Sequence, residues 1–172
     1  MPDNLKKAIR DIPDFPKDGI IFKDITPLLA DGELFRQAID IMYRKFKNEE
    51  IDKVAAIESR GFIFGSALAN RLGAGFIPIR KKGKLPHTTI NADYALEYGT
   101  SSVEIHSDAV SKGERILLVD DLLATGGTMK ASAELIEKLE GEIVGICFLI
   151  NLTFLKGIEK LTKYKIYSLI EF

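Results

Sequence analysis

The chain has 172 residues, 46% hydrophobic and 28% charged, which fits one domain with a packed core and excludes both a disordered chain and one that needs disulfide staples. Lys and Arg number 24 against 25 Asp and Glu, a net charge of -1, so the footprint of a protein that wraps nucleic acid is missing, while a small anion can still be held locally. No apolar stretch approaches the roughly 20 residues that cross a bilayer, and the single cysteine, Cys147, lies inside the apolar run 143–152 as a core thiol; the expectation is a cytoplasmic protein bound to neither membrane nor nucleic acid.

Leu5, Ala8, Ile9 and Ile12 recur at helical spacing behind Asp3 and Asn4, which predicts a short helix over 4–12 ended by Pro13 and Pro16. Residues 15–27, FPKDGIIFKDITP, place two prolines and a glycine around an apolar centre and predict an extended loop able to line a site. Asp31 caps a helix whose inner stripe is Leu34, Phe35, Ala38, Ile39, Met42 and Phe46. Val54 to Glu58 predicts a strand, followed by a loop through Ser59, Arg60 and Gly61 and a helix over 64–71 that Gly73 and Gly75 stop. A strand over 76–80 leads into residues 81–91, polar, basic and broken by Gly and Pro, which read as a mobile segment. Segments 92–97 and 102–106 then read as an antiparallel pair.

Strand 115–119, helix 125–139 and strand 143–150 predict a parallel crossover, and a strand over 165–170 follows. The fold class is therefore α/β: a central, mostly parallel sheet flanked by helices, a single domain over 1–172 with a small hood and flap drawn from 15–27 and 81–106. His87 and His106 have no metal-ligand spacing with each other or with Cys147, so a protein-held metal is not expected.

The most informative stretch is ILLVDDLLATGGT, Ile116 to Thr128, a hydrophobic strand that ends in two acids and passes through small residues into a helix. Ligands of open α/β sheets bind at the carboxyl ends of strands, where this loop falls. Gly126 and Gly127 clear the turn of side chains so that amides can face an anion, and Thr125 and Thr128 add hydroxyl donors at a helix N-terminus, a set suited to a phosphate monoester. The loop lacks the lysine of a Walker loop and is not GxGxxG. Asp120 and Asp121 repel one another and the anion, so they need donors; the vicinal hydroxyls of a ribose supply them, and both charges would stabilise a cationic transition state at the sugar.

This thirteen-residue stretch resembles the phosphoribosyl-diphosphate motif of the type I phosphoribosyltransferase family. FPKDGIIFKDITPLL (15–29), ESRGFIFG (58–65), RKKGKLP (80–86) and YALEYG (94–99) are similar, in order and nearly end to end, to the adenine branch of that family. The resemblance implies the type I fold and transfer of a phosphoribosyl group from 5-phosphoribosyl 1-diphosphate to adenine, giving AMP and pyrophosphate. It implies that Ala124, Thr125, Gly126, Gly127 and Thr128 cradle the 5-phosphate and that Asp120 and Asp121 hold the ribose hydroxyls. Ser59 and Arg60 would face the diphosphate, with a cis peptide at Ser59–Arg60. Arg80, Lys81 and Lys84 would reach the same group, and Glu97, beside Tyr98 on the flap, would manage the proton of the base. Ile21, Phe22 and Lys23 would form the adenine pocket, with Lys23 standing where an arginine is common. Mg2+ would come with the diphosphate and need few protein ligands, and the chain would form a homodimer. The alternatives are a transferase for hypoxanthine or xanthine and a regulator that senses phosphoribosyl diphosphate without turnover.

Overall fold

Among the described residues of the computed structural model, 3–95 and 100–172, seven strands form the central sheet. They are β3 (Lys53–Ile57), β4 (Gly75–Lys81), β5 (Thr89–Ala95), β6 (Thr100–His106), β7 (Arg115–Leu123), β8 (Glu142–Asn151) and β9 (Ile166–Glu171), in the order β5-β6-β4-β3-β7-β8-β9. Strands β4, β3, β7, β8 and β9 run parallel, while β6 pairs antiparallel with β4 and β5 with β6.

The parallel strands are continuous apolar runs because both of their faces are covered. Val54, Ala56, Leu117 and Val119 face one layer, which holds Met42 of α3 (Gly32–Phe46) and Phe64 and Leu68 of α4 (Arg60–Leu72). Ala55, Ile57, Ile116 and Leu118 face the other, where α5 (Gly127–Lys138) contributes Met129, Ala133 and Ile136. Asp31 caps α3 as expected, its carboxylate accepting the amides of Glu33 and Leu34 at 2.9 and 3.1 Å. The helix α4 lies so close to β3 that a Cβ on Gly65 would stand 2.4 Å from that of Ala56.

Several boundaries differ from the expectation. The first helix, α1 (Asp3–Lys7), stops early, and Arg10–Ile12 (β1) instead pairs antiparallel with Phe22–Asp24 (β2) to make the hood, because Pro13 and Pro16 turn the chain back on itself. A short helix, α2 (Thr26–Ala30), follows with Pro27 in its first turn. Asp24 fastens the hood: the Thr26 amide, the Arg10 guanidinium and the Thr26 hydroxyl hold its carboxyl at about 2. The antiparallel pair is no separate flap at its base, since β6 extends the sheet through Arg80↔Glu104 and Lys81↔Val103.

The basic segment 81–88 is pinned where mobility was expected: the buried Glu104 carboxylate accepts the amides of Lys84 and Leu85 at 2.9 and 2.8 Å. Burial pushes Glu104 up, but these amides, that of Gly83 and the Thr89 hydroxyl hold it below the ordinary glutamate range. His87 and His106, unrelated by spacing, meet edge to face with ring centres 5.9 Å apart.

Gly65→Ala forces α4 away from β3 and should destabilise the fold by about 1–3 kcal/mol, read as a lower urea midpoint with unchanged slope.

Candidate active site

The strand order reverses between β3 and β7, so the loops leaving their carboxyl ends diverge to opposite faces and leave a crevice between them. From β3 comes Glu58–Arg60, from β7 the run Asp120–Thr128. Neither α4 nor α5 has a side-chain cap at its N-terminus. Two sets of first-turn amides thus lack the local acceptor that usually satisfies them, an arrangement suited to two anionic groups.

On the β7 side, the strand runs on through both aspartates to Leu123, so Asp120 and Asp121 point to opposite faces instead of forming a frayed end. Asp120 lines a cleft of about 80 Å3 with Ala124, Thr125, Gly126, Gly127 and Thr128. Its Oδ1 accepts the Asp121 amide at 2.8 Å. Asp121 is buried beneath Arg60, whose Nη2 stands 2.7 Å from its Oδ2 as an ion pair without hydrogen-bond alignment. Burial, and for Asp120 the charge of Asp121 next, push both carboxyls upward; Arg60 opposes this for each.

The two glycines of the turn differ in role. Gly126 has φ +77°, and a Cβ there would meet the Gly157 carbonyl at 2.5 Å, so both conformation and space demand glycine. Gly127 begins α5, and its missing Cβ would make only ordinary contact with Tyr94 at 3.4 Å. Gly157 in turn sits against Ala124, whose carbonyl would lie 2.2 Å from an added Cβ. The turn is therefore wedged from behind by the segment after β8, two 3₁₀ turns over Thr153–Leu155 and Gly157–Lys160.

On the β3 side the cis peptide is Glu58–Ser59, one bond earlier than expected. Ser59 is already the N-cap of α4 and Arg60 its first residue, so the Ser59–Arg60 bond belongs to the helix start and is trans. Gly61 presses on the acids: a Cβ would stand 2.7 Å from Asp120 Oδ1. Glu58 pairs with Arg80 at 2.7 Å and accepts the Lys81 amide at 2.8 Å. Burial raises Glu58, yet these two partners outweigh it and keep it ionised below the usual range. Arg80 is therefore engaged by Glu58 and, at 3.1 Å, by the Lys84 carbonyl, while among the described residues the exposed Lys81 and Lys84 ammonium groups hold no ion pair.

Arg60 also joins the crevice to the hood. Its Nη1 donates to the Lys23 carbonyl at 3.3 Å and its guanidinium lies 4.9 Å from the centre of the Phe22 ring. Ile21 is exposed and lines a cavity of about 710 Å3 with Lys23, Leu152, Phe154, Leu155 and Phe172. The Lys23 ammonium is turned to Asp11, at 2.7 Å. Glu97 and Tyr98 lie outside the described residues.

Sequence reasoning missed the close approach of Gly61 to Asp120, the role of Glu104 and the whole segment 152–160. The last carried a usable signal, a Lys-Gly pair just past the carboxyl end of a buried strand, where α/β sheets bind ligands.

The phosphoribosyl transferase domain profile matches residues 25–170. This chain belongs to the phosphoribosyl transferase family. Within it, the chain is 61% identical to the adenine phosphoribosyltransferase of Halothermothrix orenii over 97% of this chain and 98% of that one. It is 56% identical to the adenine phosphoribosyltransferase of Geobacter metallireducens over 99% of each. The crystal structure of the Thermoanaerobacter pseudethanolicus adenine phosphoribosyltransferase superposes with a TM-score of 0.97 at 55% identity, covering 99% of both chains. That of Saccharomyces cerevisiae, complexed with an imino-altritol bisphosphate and adenine, superposes at 0.92 with 40% identity and 97% coverage of both. The mixed sheet with helices on both faces is the type I phosphoribosyltransferase architecture.

In a phosphoribosyltransferase with this crevice, Asp120→Asn should relieve the repulsion between adjacent acids while keeping the acceptor for the Asp121 amide. The expected result at neutral pH is a melting temperature higher by roughly 2–4 °C together with loss of most turnover. For a carboxyl pushed upward in the folded state, the protonated form's contribution to folding is fully present below the unfolded value and is lost as pH rises through the folded one. The gain over wild type should therefore vanish under acid conditions, as thermal melts across pH would show.

Proposed function

We propose that this protein condenses adenine with magnesium 5-phosphoribosyl 1-diphosphate to give AMP and pyrophosphate, a step that salvages the free base. The observation that carries the reading is the placement of a buried and a half-buried acid between two uncapped helix N-termini, with a single arginine tying Asp121 to the Phe22 ring of the hood. A ribose carrying phosphate at one end and diphosphate at the other matches that spacing of charge, and an aromatic ring in the hood offers a face to a purine.

The uncapped amides and hydroxyls of 124–128 bind the 5-phosphate. Asp120 and Asp121 accept the ribose hydroxyls and stabilise positive charge at the anomeric carbon, an effect that grows as the diphosphate departs. Ser59 and the N-terminus of α4 receive the leaving group, with Lys81 and Lys84 as exposed cations and Arg80 positioned by Glu58. When the sugar hydroxyls engage Asp121, Arg60 is released from full pairing and can turn toward substrate. N9 of adenine attacks the anomeric carbon, the bond to the diphosphate breaks, and Glu97 takes the proton from the base. Ile21 supplies backbone groups to the amino edge of the purine and Phe22 its ring face.

The donor set suits a magnesium ion that arrives with substrate. Among the described residues no group of three or more His, Cys, Asp or Glu could hold a metal by itself. The ion would neutralise the diphosphate and ease its departure. The working form is a homodimer, supported by the apolar face where Phe62 packs edge to face on Phe76 while Phe76 and Ile63 stay exposed. Its setting is the cytoplasm, in keeping with the fully buried thiol of Cys147, which burial pushes upward.

Steady-state assays of pyrophosphate release with adenine, hypoxanthine and xanthine test the reading. Turnover is expected with adenine alone; activity on a 6-oxopurine but not adenine would overturn the base assignment. Glu97→Gln should reduce kcat by about 10²–10⁴-fold with little change in substrate affinity, and sedimentation at micromolar protein should give a dimer that Phe76→Glu dissociates.

A further inference from the structure

We propose that Phe172 is a positioning residue for base recognition, acting through Lys23. The inference rests on the reading that Ile21–Lys23 contact the base. The hood is a sheet of two three-residue strands, too small to hold its shape alone, and must be fastened to the body. One fastening, Arg60 on Phe22 and the Lys23 carbonyl, belongs to the crevice. The other lies on the opposite side of Lys23.

There, the Lys23 ammonium stands 3.8 Å from the centre of the Phe172 ring, and that of Lys6 4.5 Å from it. The ring is itself placed by backbone: the Phe172 amide donates to the Asn151 carbonyl at 3.0 Å, and its carbonyl accepts the Thr153 amide at 2.9 Å and hydroxyl at 2.7 Å. Phe172 is thus stitched to the end of β8, next to the segment that wedges the phosphate turn.

The Lys23 side chain is only 10% exposed, whereas its ionic partner Asp11 is 53% exposed and screened. A nearly buried ammonium beside an apolar cavity needs a second partner, and the π-face of Phe172 provides it. Without that face the ammonium swings to solvent and carries β2, with Phe22 and the preceding Ile21, out of register with the crevice. A lysine is suited to this position because its compact charge rests on the ring while the cross-strand pair with Asp11 sets its direction.

The test is initial-rate kinetics on the full chain, with adenine and magnesium phosphoribosyl diphosphate varied in turn. Phe172→Leu keeps apolar volume and removes the π-face. It should raise KM for adenine about tenfold while KM for the phosphoribosyl donor and kcat stay within about twofold. Phe172→Tyr should restore the wild-type value. Lys23→Met should match Phe172→Leu, and the double variant should be no worse than either single one. An unchanged adenine KM in Phe172→Leu, an equal rise in both KM values, or additive single effects would overturn the proposal. Phe22→Leu separates the underlying reading: if it leaves adenine KM unchanged, the base site itself is misplaced, whereas a rise there without one in Phe172→Leu rejects only the role of Phe172.

Discussion

Two carboxylates on consecutive residues of a buried strand, answered by one guanidinium, are the constraint around which the crevice is organised. Asp121 is buried and Asp120 half-buried at the edge of the cleft, so water screens their repulsion less than it would at the surface. Arg60 is the counter-charge, and α4 comes near enough to deliver it because Gly61 has no side chain to strike Asp120. The outcome is a pair of adjacent carboxyls whose mutual repulsion Arg60 offsets in part.

The same arginine makes the crevice and the hood one system. Its guanidinium touches Asp121, the Lys23 carbonyl and the Phe22 ring, so the acids and the hood share one contact. A parallel link runs through the segment after β8. Leu152, Phe154 and Leu155 line the cavity beneath the hood, and two residues later Gly157 braces the turn before α5 through Ala124 and Gly126. The crevice, the hood and the turn that opens α5 therefore share supports.

The basic segment shows how a local reading fails. Arg80, Lys81 and Lys84 look like a solvated, mobile run because nothing nearby in sequence opposes their charge. Glu58 and Glu104, each about twenty residues away, organise it by accepting backbone amides as well as the Arg80 side chain. Among the described residues Lys81 and Lys84 hold no ion pair, while Arg80 holds the loop in shape.

Chain order alone was enough to read the alternation of buried strands and amphipathic helices, and the parallel crossover around ILLVDDLLATGGT with its small-residue turn into a helix. Apolar periodicity, small residues in a turn and paired acids are local properties that survive in one dimension. Which charge answers which emerged only in three dimensions. Arg60 rather than a neighbour of its own loop meets Asp121, Arg80 meets Glu58, and Lys23 faces Asp11 and Phe172. The same holds for the turning of 10–12 into a strand and the bracing of Gly126 by Gly157, because strand pairing and close backbone approach depend on residues that the fold, not their spacing along the chain, brings together.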